Sequence, residues 1–98
     1  MSLVEREMHE ARGYILVAIA QGSGESASST LLQFGLDTIG IRYDLAWVAT
    51  QMEWLAEERL ISISHAAGVV TGELLERGRD VLEKRVKVDG LLLPRRVS

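Results

Sequence analysis

The spacing of apolar residues changes from a helical to a strand period near residue 60, and this change constrains the fold more than any other feature. Apolar residues recur every three or four positions in three segments between residue 3 and about residue 58, which is the period of an amphipathic helix. Residues 60–64 and 69–71 are instead short runs of β-branched and apolar residues on either side of a turn at 65–68. Helical spacing then returns. This order predicts helices that lead into a β-hairpin, followed by another helix.

The first two predicted helices cover residues 3–21 and a shorter segment that begins near Ser29 or Thr30. Gly22 and Gly24 end the first helix and form a loop. In the second helix, Thr30 and Gln33 have the spacing of a capping box, and Gly40 is placed to stop the helix in a left-handed conformation. Its predicted buried residues are Leu31, Leu32, Leu36 and Ile39.

A third helix is predicted from Asp44, a good N-cap residue, to about Glu58. Tyr43 and Val48 have the spacing of a hydrophobic staple around that cap. A fourth helix is predicted from about Glu73 to Val86. Gly90 and Pro94 oppose further helix, so residues 87–98 are predicted to form a basic extended arm beyond a domain of residues 1–86.

Composition indicates a globular protein without disulfides. The 98 residues are 47% hydrophobic and 26% charged, and the chain has no cysteine. The longest apolar run, Tyr14–Ala20, is too short for a membrane span of ~20 residues. Glu5 and Glu7 stand where a secretory signal would be basic. We therefore expect a cytoplasmic protein without membrane contact.

The order of the predicted elements is that of a winged helix-turn-helix domain, and two segments resemble that superfamily. Residues 44–61 (DLAWVATQMEWLAEERLI) resemble a third helix that runs into the first wing strand. Residues 74–82 (LLERGRDVL) resemble the helix start after the wing in regulators of the MarR, PadR and ArsR types, with Leu75 where Thr is usual. The resemblance implies a mainly α fold with a small two-stranded wing.

A closer resemblance is to short proteins of Mu-like phages and prophages. It rests on the chain length, on residues 12–16 (RGYIL) and on the tail 86–96. Those proteins are usually labelled ArsR-like regulators from similarity of fold. The resemblance therefore implies a DNA-binding label, without implying a known operator.

The charge of the chain is divided unevenly. Residues 1–76 hold four basic and eleven acidic residues, whereas residues 77–98 hold seven basic and three acidic residues. The basic segment either binds DNA phosphates without recognising sequence or is a charged helix face in contact with solvent. The residues predicted to contact DNA are Arg42, Tyr43, Thr50, Gln51, Arg77, Lys84, Arg85 and Lys87.

The charge of the third helix does not favour DNA binding. Residues 44–59 hold four acidic residues and one basic residue, so the helix lacks the attraction to phosphate on which most non-specific DNA affinity depends. Helical geometry places Trp47, Thr50, Trp54, Glu57 and Glu58 opposite the core face. Tryptophan often anchors protein interfaces, so an interface role is expected for at least one of the two. The alternative is that Trp54 packs against the hairpin.

Self-association is expected as a homodimer, because the second half of the first helix is apolar nearly all round. A two-fold dimer through this helix and Leu91–Leu93 would bury both, unless the helix is simply central to the monomer core. The residues predicted to form protein interfaces are Tyr14, Ile15, Trp47, Trp54, Leu91, Leu92 and Leu93.

No pattern for catalysis, metal binding or cofactor binding is found. His9 and His65 are far apart, no Gly-x-Ser-x-Gly elbow occurs, and Gly22–Gly24 lacks the spacing of a phosphate loop. We expect no enzyme, no cofactor and no metal ion. Two functions remain open: a regulator-like or DNA-handling winged-helix protein bound to double-stranded DNA, and a phage assembly module of the same fold that binds another phage or host protein.

Overall fold

The computed structural model describes residues 1–95, and it contains four α-helices and a three-stranded antiparallel sheet. The helices are α1 (Leu3–Gln21), α2 (Ser29–Thr38), α3 (Leu45–Glu57) and α4 (Glu76–Leu82). The strands are β1 (Ser26–Ser28), β2 (Ile61–Ala66) and β3 (Val69–Leu74), and a 3-10 turn (Ser23–Glu25) precedes β1. Residue 96 and those after it, including the predicted basic residue Arg96, lie outside the described residues.

Helix α1 has the predicted bounds and lies at the centre of the core. Ser2 caps it: the Ser2 hydroxyl accepts a hydrogen bond from the Glu5 amide, and the Glu5 carboxylate accepts one from the Ser2 amide. Ala11, Ile15, Leu16 and Ile19 have no exposed surface. The helix packs against α3, against the middle strand β3 and against α4. Its apolar second half is thus covered largely by the chain itself.

The predicted hairpin is present, and it belongs to a larger sheet than expected. Strand β3 lies in the middle, with β2 on one side and β1 on the other. The expected two-stranded hairpin is therefore part of a three-stranded sheet. Ser26–Ser28 carries no strand signal, since a serine-rich tripeptide favours caps and turns. It becomes a strand because its backbone pairs with Thr71–Glu73.

Strand β3 also runs three residues beyond the prediction, because Gly72 and Glu73 pair with strands on both sides. Helix α4 consequently begins at Glu76, and it ends at Leu82, four residues before the predicted Val86. Lys84 adopts a positive φ of 63°, a left-handed conformation that stops the helix. The residues after it form turns that lead into the arm.

Helix α2 is capped differently from the prediction. The Ser28 hydroxyl accepts a hydrogen bond from the Leu31 amide, so the helix begins two residues earlier than a Thr30 cap would allow. The Gln33 side chain donates to the Tyr43 carbonyl oxygen and is not used in a capping box. Gly40 takes the predicted left-handed conformation, with φ +86°.

Candidate functional site

The outward face of α3 is acidic. Asp44 caps this helix as predicted, its carboxylate accepting a hydrogen bond from the Trp47 amide at 2.8 Å. The residues exposed along the helix are Leu45, Ala46, Thr50, Glu53 and Glu57. The Thr50 hydroxyl donates to the Ala46 carbonyl oxygen at 2.9 Å. The face that would enter a DNA groove therefore offers two carboxylates and no cation.

Trp47 and Trp54 flank this face, and each side chain is half-buried. The Trp47 ring stacks on Tyr43, with ring centroids 3.9 Å apart and an angle of 13° between the ring planes. The Tyr43 hydroxyl donates to the Glu7 carboxylate at 2.6 Å, and this hydrogen bond raises the pKa of Tyr43 above its ordinary value. Tyr43 thus joins the start of α3 to α1, and its polar atom is already engaged.

Arg12 is the centre of a polar cluster that the sequence analysis did not identify. Its Nε donates to the Gln51 side-chain oxygen at 2.9 Å, and one terminal nitrogen donates to the Gly90 carbonyl oxygen at 3.0 Å. Its guanidinium carbon lies 4.1 Å from the centroid of the Trp54 ring. Burial lowers the pKa of Arg12, and the charge of Glu58 opposes this shift. The sequence signal was an arginine within the buried stripe of α1.

Because of this cluster, the Gln51 side chain is not available at the surface. The side chain expected to read DNA bases is only 3% exposed, because it accepts the Arg12 hydrogen bond inside the molecule. Its position on α3 lies between the core residues Val48 and Leu55. Ile15, expected at a protein interface, has no exposed surface either. Tyr14 is half-buried, and its hydroxyl lies against the α2 backbone at Gly35.

The described part of the arm, residues 87–95, lies along α1. The Leu92 amide donates to the His9 carbonyl oxygen at 3.0 Å. A Cβ atom built on Gly13 would come within 1.8 Å of the Leu92 carbonyl oxygen, so glycine at this position permits the close approach. Leu91, Leu92 and Leu93 are half-buried as a result. The arm therefore covers part of the α1 surface that was predicted to contact a second copy of the chain.

The basic residues predicted to contact DNA are exposed, and some are engaged. The Arg77 Nε donates to the Glu58 carbonyl oxygen at 2.8 Å, which places the Arg77 side chain at the end of α3. An Arg85 terminal nitrogen lies 3.4 Å from the Glu83 carboxylate. Lys84 and Lys87 are exposed near it, and Arg42 is exposed in the turn before α3. Residues 60–76, which include the hairpin, contain no Lys or Arg.

Exposed large apolar side chains are concentrated on α2 and at the start of α1, while Leu45 on α3 and Leu75 before α4 are 39% and 37% exposed. On α2, Leu31 is 59% exposed and Phe34 is 68% exposed, and Ile39 is exposed just after the helix. Leu31 and Ile39 were expected to be buried, and that expectation is wrong because α2 packs on the core through Leu32 and Leu36. At the start of α1, Leu3 and Val4 are 86% and 69% exposed. The signal for α2 was a ten-residue helix with apolar residues on more than one face.

Two surface grooves lie on either side of Leu92 and Leu93. The first, the α1–α2 groove, is lined by Leu3, Arg6, Glu7, Glu10, Tyr14, Ile39, Gly40, Ile41, Leu92, Leu93, Pro94 and Arg95. The second, the basic groove, is lined by Val81, Lys84, Arg85, Val86, Lys87, Val88, Leu91, Leu92 and Leu93. The basic groove therefore combines an apolar wall with three cationic side chains.

Two further findings concern other classes of site. Residues 1–95 contain no group of three or more His, Asp or Glu side chains arranged to hold a metal ion. Within the same residues, no helix has both the length and the apolar character that crossing a bilayer requires.

Comparison with known proteins connects the chain to phages. No protein-family model matches the chain, and no solved structure matches it. The chain is 31% identical over 86 residues to the "Uncharacterized protein gp26" of Escherichia phage Mu. The match covers 88% of this chain and 90% of the phage protein. The predicted link to Mu-like phages is thereby confirmed, and the chain belongs to the same family as this Mu protein.

Proposed function

We propose that this protein is a winged-helix module that acts through protein contacts in phage assembly or phage–host interaction, without binding DNA directly. The winged-helix assignment is supported by the order of elements, in which a short strand lies between α1 and α2 and a hairpin follows α3. Strand β3 of the hairpin pairs with that short strand, and the three strands form one sheet. This order agrees with the resemblance of residues 44–61 and 74–82 to winged-helix regulators.

One observation carries the choice of protein over DNA: the exposed face of α3. In a winged-helix protein that binds DNA, this face enters the major groove. Here it presents Glu53 and Glu57, and no cation on the hairpin offsets their charge. A duplex repels carboxylates and attracts proteins through Lys and Arg contacts to phosphate. Exposed Leu31 and Phe34 on the neighbouring helix instead favour contact with an apolar protein surface.

The test is direct binding to a labelled duplex of mixed sequence, measured by fluorescence anisotropy at about 50 mM salt, where non-specific affinity is strong. We expect no measurable binding by the wild type. A double variant, Glu53→Lys with Glu57→Lys, should gain weak, salt-dependent binding if the geometry is that of a winged helix. Strong binding by the wild type would contradict the proposal.

A second experiment tests for a protein partner and uses the α2 patch, which is formed by Leu31 and Phe34. A tagged Leu31→Gln/Phe34→Gln variant should lose a protein that co-purifies with the wild type from cells that express it naturally. Thr30→Gln, also exposed on α2, is the matched control and should retain it. Retention of every co-purifying protein by the double variant would remove the patch from the proposal.

DNA binding is the second candidate, favoured by one specific observation. Lys84, Arg85 and Lys87 are exposed within four residues, and Arg42 is exposed at the start of α3. Such a set would hold phosphates and position the protein without reading bases. In that case Lys84→Ala/Lys87→Ala would weaken duplex binding and reduce its salt dependence by about two phosphate contacts. Arg59→Ala, another exposed cation, would have little effect.

A further inference from the structure

We infer that the basic groove receives the acidic, apolar start of α1 from a second copy of this chain, in a reciprocal two-fold dimer. The inference rests on the proposed function as a protein-contact module and supplies the partner for one of its surfaces. The groove and the segment that would fill it are both present on each chain. No comparison assigns either of them a role.

The first argument is chemical complementarity. The groove has an apolar wall of valine and leucine side chains and a rim formed by Lys84, Arg85 and Lys87. The first turns of α1 present Leu3 and Val4, which are 86% and 69% exposed. Residues 3–10 also hold three acidic side chains and one basic side chain, Arg6, which lies 3.8 Å from the Glu10 carboxylate, so the segment keeps a net negative charge. An acidic apolar segment satisfies both the wall and the rim of such a groove.

The second argument is the placement of the two surfaces. Leu92 and Leu93 line the basic groove on one side and the α1–α2 groove on the other. Leu3 and Glu10 line the α1–α2 groove. The segment and its receptor thus lie on opposite sides of the same two residues. In the proposed dimer a two-fold axis lies near Leu92–Leu93, so that the α1 start of each copy covers the basic groove of the other and both contacts form at once.

The third argument is that the core leaves these surfaces free. The arm is held on α1 through the Leu92–His9 backbone bond and the Arg12–Gly90 bond, so its outer side is fixed in place. The groove is therefore formed before a partner arrives, which reduces the entropy lost on binding. Residues 1–76 are acidic overall and residues 77–98 are basic overall, so the long-range attraction has the sign that this docking needs.

The experiment uses two charge-reversed variants of the full chain. The groove variant carries Lys84→Glu and Lys87→Glu, and the segment variant carries Glu5→Lys and Glu10→Lys. Each is examined alone and in an equal mixture by sedimentation velocity and light scattering. Circular dichroism and thermal unfolding establish that each variant is folded. Arg59→Glu is the control for a change of charge outside both surfaces.

We expect the wild type and Arg59→Glu to be dimers. Each reversed variant alone should have a dimer Kd raised by more than roughly tenfold, because like charges face each other at both contacts. The mixture should restore the dimer, since both contacts of a mixed pair then join opposite charges. Leu3→Ser/Val4→Ser should also weaken the dimer, and its effect should persist at high salt.

Three outcomes would overturn the inference: a monomeric wild type, reversed variants that dimerise as the wild type does, or a mixture that stays monomeric. A monomeric wild type that binds duplex DNA through Lys84 and Lys87 would overturn the proposed function as well. A monomeric wild type without DNA binding would overturn only the dimer. The two failures are therefore distinguishable.

Discussion

The guanidinium carbon of Arg12 lies 4.1 Å from the centroid of the Trp54 ring, and this pair joins α1 and α3 to the arm through the Gly90 carbonyl oxygen. A buried arginine is stable here because aromatic, amide and carbonyl groups replace the water it loses. The arrangement uses the planar, multiply donating head of arginine, which a lysine ammonium does not reproduce.

The first prediction concerns removal of this head group. Arg12→Met keeps the aliphatic stem and leaves the buried Gln51 side-chain oxygen and the part-buried Gly90 carbonyl oxygen without their donor. The expected loss in the free energy of unfolding is about 2–4 kcal/mol, since each buried acceptor left unpaired costs about 1–3 kcal/mol. Urea unfolding monitored by circular dichroism measures it. Arg12→Lys should recover less than half of the loss, and full recovery would show that charge alone matters.

The second prediction concerns the close approach of the arm to α1. Gly13→Ala places a methyl group where the Leu92 backbone lies, so the arm must leave the helix. In a Trp47→Phe background, the emission of Trp54 should shift to longer wavelength as Gly90 moves away from its ring. Gly35→Ala is the matched control. There the new methyl meets the end of the Tyr14 side chain, which can rotate, and the Trp54 emission should not change.

The third prediction separates exposed from buried apolar residues on α2. Phe34→Gln should change the free energy of unfolding by less than about 0.5 kcal/mol, because the side chain is mostly exposed. Leu32→Ala, two positions away and 1% exposed, should cost about 2–5 kcal/mol. Thermal and urea unfolding of both variants test the assignment of faces. A large loss from Phe34→Gln would show that α2 packs through the opposite side.

The fourth prediction concerns pH and the bidentate pair between Arg79 on α4 and Glu25 in the turn before β1. The hydrogen bond from Arg79 lowers the pKa of Glu25 below its ordinary value of 4.5. The folded state therefore binds this proton less readily than the unfolded state. The stabilisation is present above the ordinary value and is lost as the pH falls through the lowered pKa.

Glu25→Gln should accordingly make Tm depend less on pH below about pH 5. Thermal unfolding at a series of pH values from neutral to acid measures this. Glu53→Gln on the exposed face of α3 makes the same change of charge and is the control. If the two variants show the same pH dependence, the Glu25–Arg79 pair does not contribute to acid unfolding.

The sequence predicted the elements whose signals are local. Helix α1 has the predicted bounds, Asp44 caps α3, Gly40 ends α2 with a positive φ, and the hairpin forms where the apolar period changes. Each of these depends on the conformation of a few neighbouring residues. Periodicity and capping rules describe such neighbours directly.

Only the tertiary structure decided which surfaces are free. Ser26–Ser28 became a strand because β3 offered it backbone partners more than forty residues away. Arg12 and Gln51 are buried because they pair with each other and Arg12 also donates to the Gly90 carbonyl oxygen. Leu31 is exposed because Leu32 and Leu36 already fill that side of the core. Burial depends on which distant elements pack together, and the spacing of residues along one helix does not predict those contacts.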